Sequence, residues 1–255
     1  MPYKNLRVEI NSGVAKIVLN RPPVNILNIE MMSEICSAIG SECSSRECKV
    51  IAFYGEGKAF SAGVDVGEHM GDSATRMIEV FHRMFRMLIA SGKPTVAVVN
   101  GAALGGGCEL AVFCDMVIAS DKAKLGQPEI QLAVFPPIAA VLFPRIIGRK
   151  KALELLLTGD TIDAAEALRL GLVNQVVPQD QLNVEADKFL AKLTKLSGVA
   201  LALTRKAAMI ELDRQFEDDL DEVEELYLKT LMKTHDATEG LKSFLEKRRP
   251  TWTNE

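Results

Sequence analysis

Pro94-Thr95-Val96-Ala97-Val98-Val99 runs directly into Asn100-Gly101-Ala102-Ala103-Leu104-Gly105-Gly106-Gly107-Cys108-Glu109-Leu110. The first six residues are an apolar run of strand length, and Asn100-Gly101 is a turn signal. A strand without polar alternation has both faces covered, the pattern of parallel pairing through helical crossovers. The glycines then stand between strand and helix, ahead of a helical run at 108–113. Glycine lets main chain approach a ligand closely, and free amides at a helix start stabilise negative charge. Taken alone, the three glycines fit equally well a tight turn where helix and strand pack. The spacing is not the Gly-x-Gly-x-x-Gly of dinucleotide sites.

The same alternation extends on both sides. Residues 6–10 and 14–19 form strand-like runs around Asn11-Ser12-Gly13, a hairpin signal. Pro22-Pro23 stops the second run. Residues 30–44 and 73–90 carry helical apolar stripes, and 50–54 and 114–119 are buried strands. Beyond them helices are expected over 138–147, 149–157, 163–169, 179–194, 197–213, 216–232 and 236–247, with one short strand at 173–176. Residues 216–226 carry a dense acidic face, which reads as a solvated helix surface.

Two acids sit in apolar company. Glu109 lies among Cys108, Leu110, Ala111 and Val112; Glu129, in Gly126-Gln127-Pro128-Glu129, precedes Ile130, Leu132, Ala133 and Val134. Glutamate is almost never fully buried unless paired or functional. Burial raises a carboxyl pKa and makes it a proton carrier near neutrality. The competing explanation is an ion pair with a buried arginine such as Arg145. A second backbone candidate is Ala59-Phe60-Ser61-Ala62-Gly63-Val64-Asp65, which follows the 50–54 strand. Loops at the carboxyl ends of neighbouring parallel strands face one crevice, so two amides could converge on one oxygen. Viewed alone, this segment is equally an ordinary surface loop. Cys108 has no histidine nearby in sequence and reads as a packing residue. The basic clusters Arg149-Lys150-Lys151 and Lys247-Arg248-Arg249 read as solvated surface, with phosphate contacts as the alternative.

The 255 residues suit one α/β domain with an appendage, and 48% hydrophobic with 25% charged residues is ordinary globular composition. A net charge of −4 gives no reason to expect nucleic acid or another polyanion. No apolar run approaches the roughly 20 residues of a membrane span, and the start lacks a signal-peptide core. Five cysteines without a Cys-x-x-Cys read as reduced thiols of a cytoplasmic protein. The three histidines have no metal-ligand spacing, so no metal is expected.

Taken together, several segments resemble the enoyl-CoA hydratase/isomerase (crotonase) family. They are Leu19-Asn20-Arg21-Pro22, the 59–65 loop, the 100–110 stretch, Gly126-Gln127-Pro128-Glu129, Leu157-Thr158-Gly159-Asp160, Gly171-Leu172-Val173 and Phe244-Leu245-Glu246-Lys247-Arg248. The likeness runs in order along essentially the whole chain. It implies an α/β fold, a crotonase-like spiral of ββα units over residues 1–195, followed by a helical trimerisation region over 196–255. It also implies self-association as a homotrimer or homohexamer. The substrate would be an acyl-CoA, with no cofactor beyond the coenzyme A that carries it, and neither nucleic acid nor membrane as partner. By residue-level carry-over, the Val64 and Gly106 amides would form the oxyanion hole, and Glu109 and Glu129 the catalytic pair. Pro23, Val24, Ala62, Asp65, Val66, Phe244 and Lys247 would contact substrate or CoA. Phe135, Pro137 and Ile138 would shape the acyl pocket.

Isomerase members usually lack an acid at the Glu109 position, so the resemblance favours hydration. An isomerase, or a non-catalytic RNA-binding or scaffold relative, is the alternative. Two departures stand out. A position that is often basic in the family is Gly67 here. The glycine-rich turn that ordinarily follows the second glutamate is replaced by Phe135-Pro136-Pro137-Ile138-Ala139-Ala140-Val141. With Pro22-Pro23-Val24-Asn25-Ile26-Leu27-Asn28, that segment resembles cyclohexa-1,5-diene-1-carbonyl-CoA hydratases.

Overall fold

The computed structural model describes residues 3–71 and 73–255. Its backbone is two sheets threaded alternately. The larger sheet holds β1 (Leu6–Asn11), β2 (Val14–Leu19), β3 (Val50–Gly55), β5 (Thr95–Val99), β7 (Met116–Ser120) and β10 (Gln175–Val177), in that order. The smaller holds β4 (Ala59–Ser61), β6 (Ala102–Leu104), β8 (Lys124–Gly126) and β9 (Thr161–Asp163). Among the described residues, only the β1–β2 hairpin and the β8–β9 pair are antiparallel. Each turn therefore lays a longer strand in one sheet, a short strand in the other, and then a helix. The result is a spiral of ββα units, as expected.

Both faces of the large sheet are covered. Along β3, Ile51 and Phe53 enter the main core, while Val50, Ala52 and Tyr54 enter a second cluster under α7 (Leu182–Thr194). That is why β3 and β5 read as unbroken apolar runs. On the other face lie α1 (Ile29–Gly40) and α2 (Ser73–Ser91). The helix α3 (Gly106–Phe113) is buried all round, consistent with its nearly continuous apolar sequence. An aromatic ladder runs Phe81–Phe85–Phe113–Phe216, with centroid spacings of 4.9, 4.8 and 5.2 Å. It ties α2 and α3 to α8 (Gly198–Glu225).

Between α3 and α8 come α4 (Pro137–Ile146), α5 (Arg149–Thr158) and α6 (Ala164–Leu170); α9 (His235–Leu245) follows α8. Three expectations need correction. The four strands of the small sheet span three residues each, too short to show a period, and are absent from the sequence assignment. The two helices expected at 197–213 and 216–232 are one helix, α8, that passes into a π-helical turn at Leu226–Thr230. Arg214 and Gln215 between them are good helix formers, and both bond back to Glu211. The acidic stretch 216–226 is also not simply solvated. Asp219 pairs with Arg145, Asp221 with Arg86, and Glu224 with both Arg86 and buried His82. Its charges dock α8 onto α2 and α4.

Candidate active site

The carboxyl ends of β4 and β6 and the start of α3 meet at a crevice. The 62–65 loop is held there by main-chain bonds to the 24–27 strip. Ala62 N–H donates to Val24 O at 2.9 Å, Leu27 N–H to Gly63 O at 2.9 Å, and Asp65 N–H to Leu27 O at 3.0 Å. Beneath it buried Asn25 donates to the Glu56, Ala59 and Phe60 carbonyls. These bonds leave the Val64 amide free. Across the crevice Gly106 is the first residue of α3, where an amide has no intrahelical acceptor. Among the described residues neither amide donates a hydrogen bond. The loops approach so closely that a side-chain carbon on Gly63 would lie 3.7 Å from the Gly106 nitrogen. Gly105 is required twice over, by its φ of +50° and because a Cβ there would collide with the Glu129 carboxylate.

The two acids face one cavity of about 250 Å³. Glu109, in the first turn of α3, is only 2% exposed. Its Oε1 accepts the Ala139 amide at 2.9 Å. Ala139 is the third residue of α4, and Pro136 ahead of that helix offers no capping side chain. Glu109 therefore caps α4 from a distance, and the positive end of that helix favours its anion. Glu129 sits in the 3-10 turn Pro128–Leu132, where the donor it meets is the buried Gln127 side-chain amide, 3.3 Å from its Oε2 and so a weaker partner than the Ala139 amide is for Glu109. Burial lifts both pKa values, and Glu109's charge lifts that of Glu129 further. The Ile138 and Ala139 amides work against this at Glu109. The two therefore differ in acidity: Glu109 ionises first and Glu129 holds its proton longer. Arg145, the possible ion-pair partner, is engaged by Asp219 instead.

The other expected residues divide. Ala62, Val66, Phe135, Pro137 and Phe244 line the same cavity as Val64, Gly106, Glu109 and Glu129. Ile138 is fully buried behind the wall and reaches the site only through its backbone. Pro23 is exposed and Val24 half-buried, on the strip that carries the 62–65 loop. Asp65 turns away, accepting the Gly67 amide at 3.0 Å with Arg21 at 3.8 Å. Lys247 lies exposed just past α9 and off the cavity wall. Of the basic clusters, Arg248 is paired with Glu239 and Glu246, and Lys151 with Glu154. Cys108 is fully buried, and burial pushes its thiol pKa up, so it is no nucleophile.

Sequence reasoning missed His69, Met77, Phe81 and Tyr227 on the cavity wall. Met77 and Phe81 belong to the apolar stripe of α2, indistinguishable in sequence from its core positions. Tyr227 arrives from almost one hundred residues beyond Glu129, and no local signal marks it. Among the described residues, no three His, Cys, Asp or Glu side chains are grouped to hold a metal ion. Among the described residues no helix is long and apolar enough to cross a membrane.

The comparisons with known proteins agree with this geometry. The Enoyl-CoA hydratase/isomerase family model matches residues 9–255. A probable enoyl-CoA hydratase of Mycobacterium bovis is 41% identical, over 100% of both chains. The cyclohexa-1,5-dienecarbonyl-CoA hydratase of Thauera aromatica is 36% identical, over 97% of this chain and 95% of that protein. Among solved structures, an enoyl-CoA hydratase from Mycobacterium avium subsp. paratuberculosis superposes with a TM-score of 0.89 at 31% identity, covering 99% of this chain and 100% of that one. The fold, the crevice and the sequence likeness along the whole chain place this protein in the enoyl-CoA hydratase/isomerase (crotonase) family.

Proposed function

We propose that the protein is a hydro-lyase that adds water across the α,β double bond of an acyl-CoA thioester. The observation that carries this is one cavity holding two unengaged amides and two carboxyls of unequal acidity. The Val64 and Gly106 amides would donate hydrogen bonds to the thioester oxygen as negative charge develops on it, where one such donor is worth about 10²–10³ in rate. Glu109, ionised under its helix start, would take the proton of the attacking water, and Glu129 would deliver a proton to C2. No further cofactor enters this scheme. Phe244 would contact the CoA carrier, with Pro23, Val24, Ala62, Asp65, Val66 and Lys247 along its path.

The acyl group would be small or cyclic. Phe81, Phe135, Pro136, Pro137 and Tyr227 enclose flat, apolar walls, and the relative from Thauera aromatica, by its name, hydrates a ring dienoyl-CoA. Cyclohexa-1,5-diene-1-carbonyl-CoA is therefore the specific candidate. Residues 196–255 would form the self-association region of a trimer or hexamer. Exposed Val199, Leu203, Ile210 and Leu212 on α8 support that part. The test is turnover of linear, branched and alicyclic enoyl-CoAs in ¹⁸O-labelled water. Oxygen incorporation, fastest with the ring substrate, is expected. Double-bond migration without incorporation would make the protein an isomerase, and no turnover on the panel would sink the enzymatic assignment.

A further inference from the structure

Tyr227 is 1% exposed and lines the same cavity as Glu109 and Glu129. It continues the inner stripe of α8, after Phe216, Leu220 and Val223, but falls in the π-helical turn Leu226–Thr230. Such turns recur at functional sites because they re-aim a side chain. Its ring stands edge-on to Phe135, with centroids 5.3 Å apart at 87°. One turn earlier, Glu224 is clamped by His82 at 2.7 Å and by Arg86 at 3.6 Å. The ring is thus fixed from two sides.

Its hydroxyl makes no hydrogen bond among the described residues, and its oxygen is not one of the fully enclosed unpaired atoms, so it meets the cavity. A buried hydroxyl normally has a partner. Burial and the two neighbouring carboxylates push its pKa up, so the group stays protonated and can donate. Of the two carboxyls whose charges reach it, the one that ionises first, Glu109, is an acceptor. A donor and an acceptor facing one cavity match a water molecule, or an alcohol oxygen, that gives one hydrogen bond and receives another.

We propose that Tyr227 is a further substrate-contacting residue, whose phenol donates a hydrogen bond to the oxygen that hydration adds to the acyl chain. The inference rests on the hydratase assignment above and extends it. Tyr227 transfers no proton; it orients the attacking water in one direction and holds the product hydroxyl in the other.

The experiment compares wild type with Tyr227→Phe, which keeps the ring and its contact with Phe135. Two ligand pairs are titrated: 3-hydroxybutyryl-CoA against butyryl-CoA, and 2-hydroxycyclohexanecarbonyl-CoA against cyclohexanecarbonyl-CoA. The variant should lose roughly tenfold in affinity for the hydroxylated member, the size of one buried hydrogen bond, and in kcat by a similar factor. Affinity for the saturated member should hold within about twofold, since no hydrogen bond is lost there. Phe135→Leu, which loosens the ring without removing the hydroxyl, should weaken both members alike. If wild type hydrates its substrate but Tyr227→Phe leaves the affinity ratio and kcat unchanged, Tyr227 is a packing residue and the proposal falls alone. If wild type neither binds nor hydrates any enoyl-CoA, the hydratase assignment falls and takes this proposal with it.

Discussion

Two hollows in this molecule differ in an instructive way. The larger, about 760 Å³, runs along α8 between Phe113, Leu142, Leu193, Leu212 and Phe216. The smaller, about 250 Å³, holds Glu109 and Glu129. In the larger, the charged groups satisfy one another. Arg205 bonds to Asp115 at 3.0 Å and to Asp213 at 3.1 Å, Asp115 also accepts the Thr95 amide, and Arg145 is engaged by Asp219. In the smaller, no hydrogen bond from the Val64 and Gly106 amides or the Tyr227 hydroxyl is found among the described residues, and Glu129 has a long contact of 3.3 Å from the buried Gln127 amide. Size therefore does not identify the candidate site. Polar capacity left open inside the fold does, because that capacity is costly unless water or a ligand uses it.

The largest expected effect lies in the smaller hollow. Glu109→Gln or Glu129→Gln should each lower turnover by roughly 10³-fold, within the range of a lost general acid or base, while CoA-ester binding persists. Steady-state rates beside calorimetric titration check this; near-normal hydration by either variant would erase the distinction between the hollows. Arg205→Ala should act on stability instead. It strands Asp115 and Asp213 around a mostly buried site, at a cost of about 3 kcal/mol by denaturant unfolding.

A smaller effect has a defined sign. Glu129 has a raised pKa in the folded protein. As pH climbs past the ordinary carboxylate range, the unfolded chain loses this proton before the folded one does. Stability is therefore lost with rising pH until Glu129 also ionises in the folded state. Glu129→Gln should match wild type in stability near pH 4 and exceed it at pH 8; urea midpoints that stay parallel across this range would contradict the burial argument. The smallest effect on the fold itself belongs to the outer face of α8. Val199 and Leu203 are 71% and 62% exposed. Replacing both with Asp should change the stability of the isolated chain by no more than about 0.5 kcal/mol per site. It should nevertheless reduce the particle mass seen by light scattering. An unchanged mass would leave α8 without the self-association role proposed for it.

Much of this was legible in the chain. Strands β3 and β5 announce themselves because two covered faces demand unbroken apolar residues, and α2 because its stripe repeats at helical spacing. Glu109 and Glu129 stand out because an acid in apolar sequence needs a reason to be there. Other features carry no such signal. The small sheet is built from three-residue strands, below the length at which any period shows. The charges at 216–226 look solvated until α2 and α4 supply Arg86, His82 and Arg145.

The amino-acid sequence alone determined the α/β alternation, the glycine-lined start of α3, and the presence of two acids in apolar surroundings, since these are local consequences of residue type and spacing. Only the tertiary structure decided how the two acids differ. Glu109 is met by the start of α4, thirty residues away in sequence, while Glu129 is not, and electrostatics depends on distance in space. Tertiary structure also brought Tyr227 into the cavity. A side chain's neighbours across the fold are set by how helices pack, and no single segment of sequence contains that information.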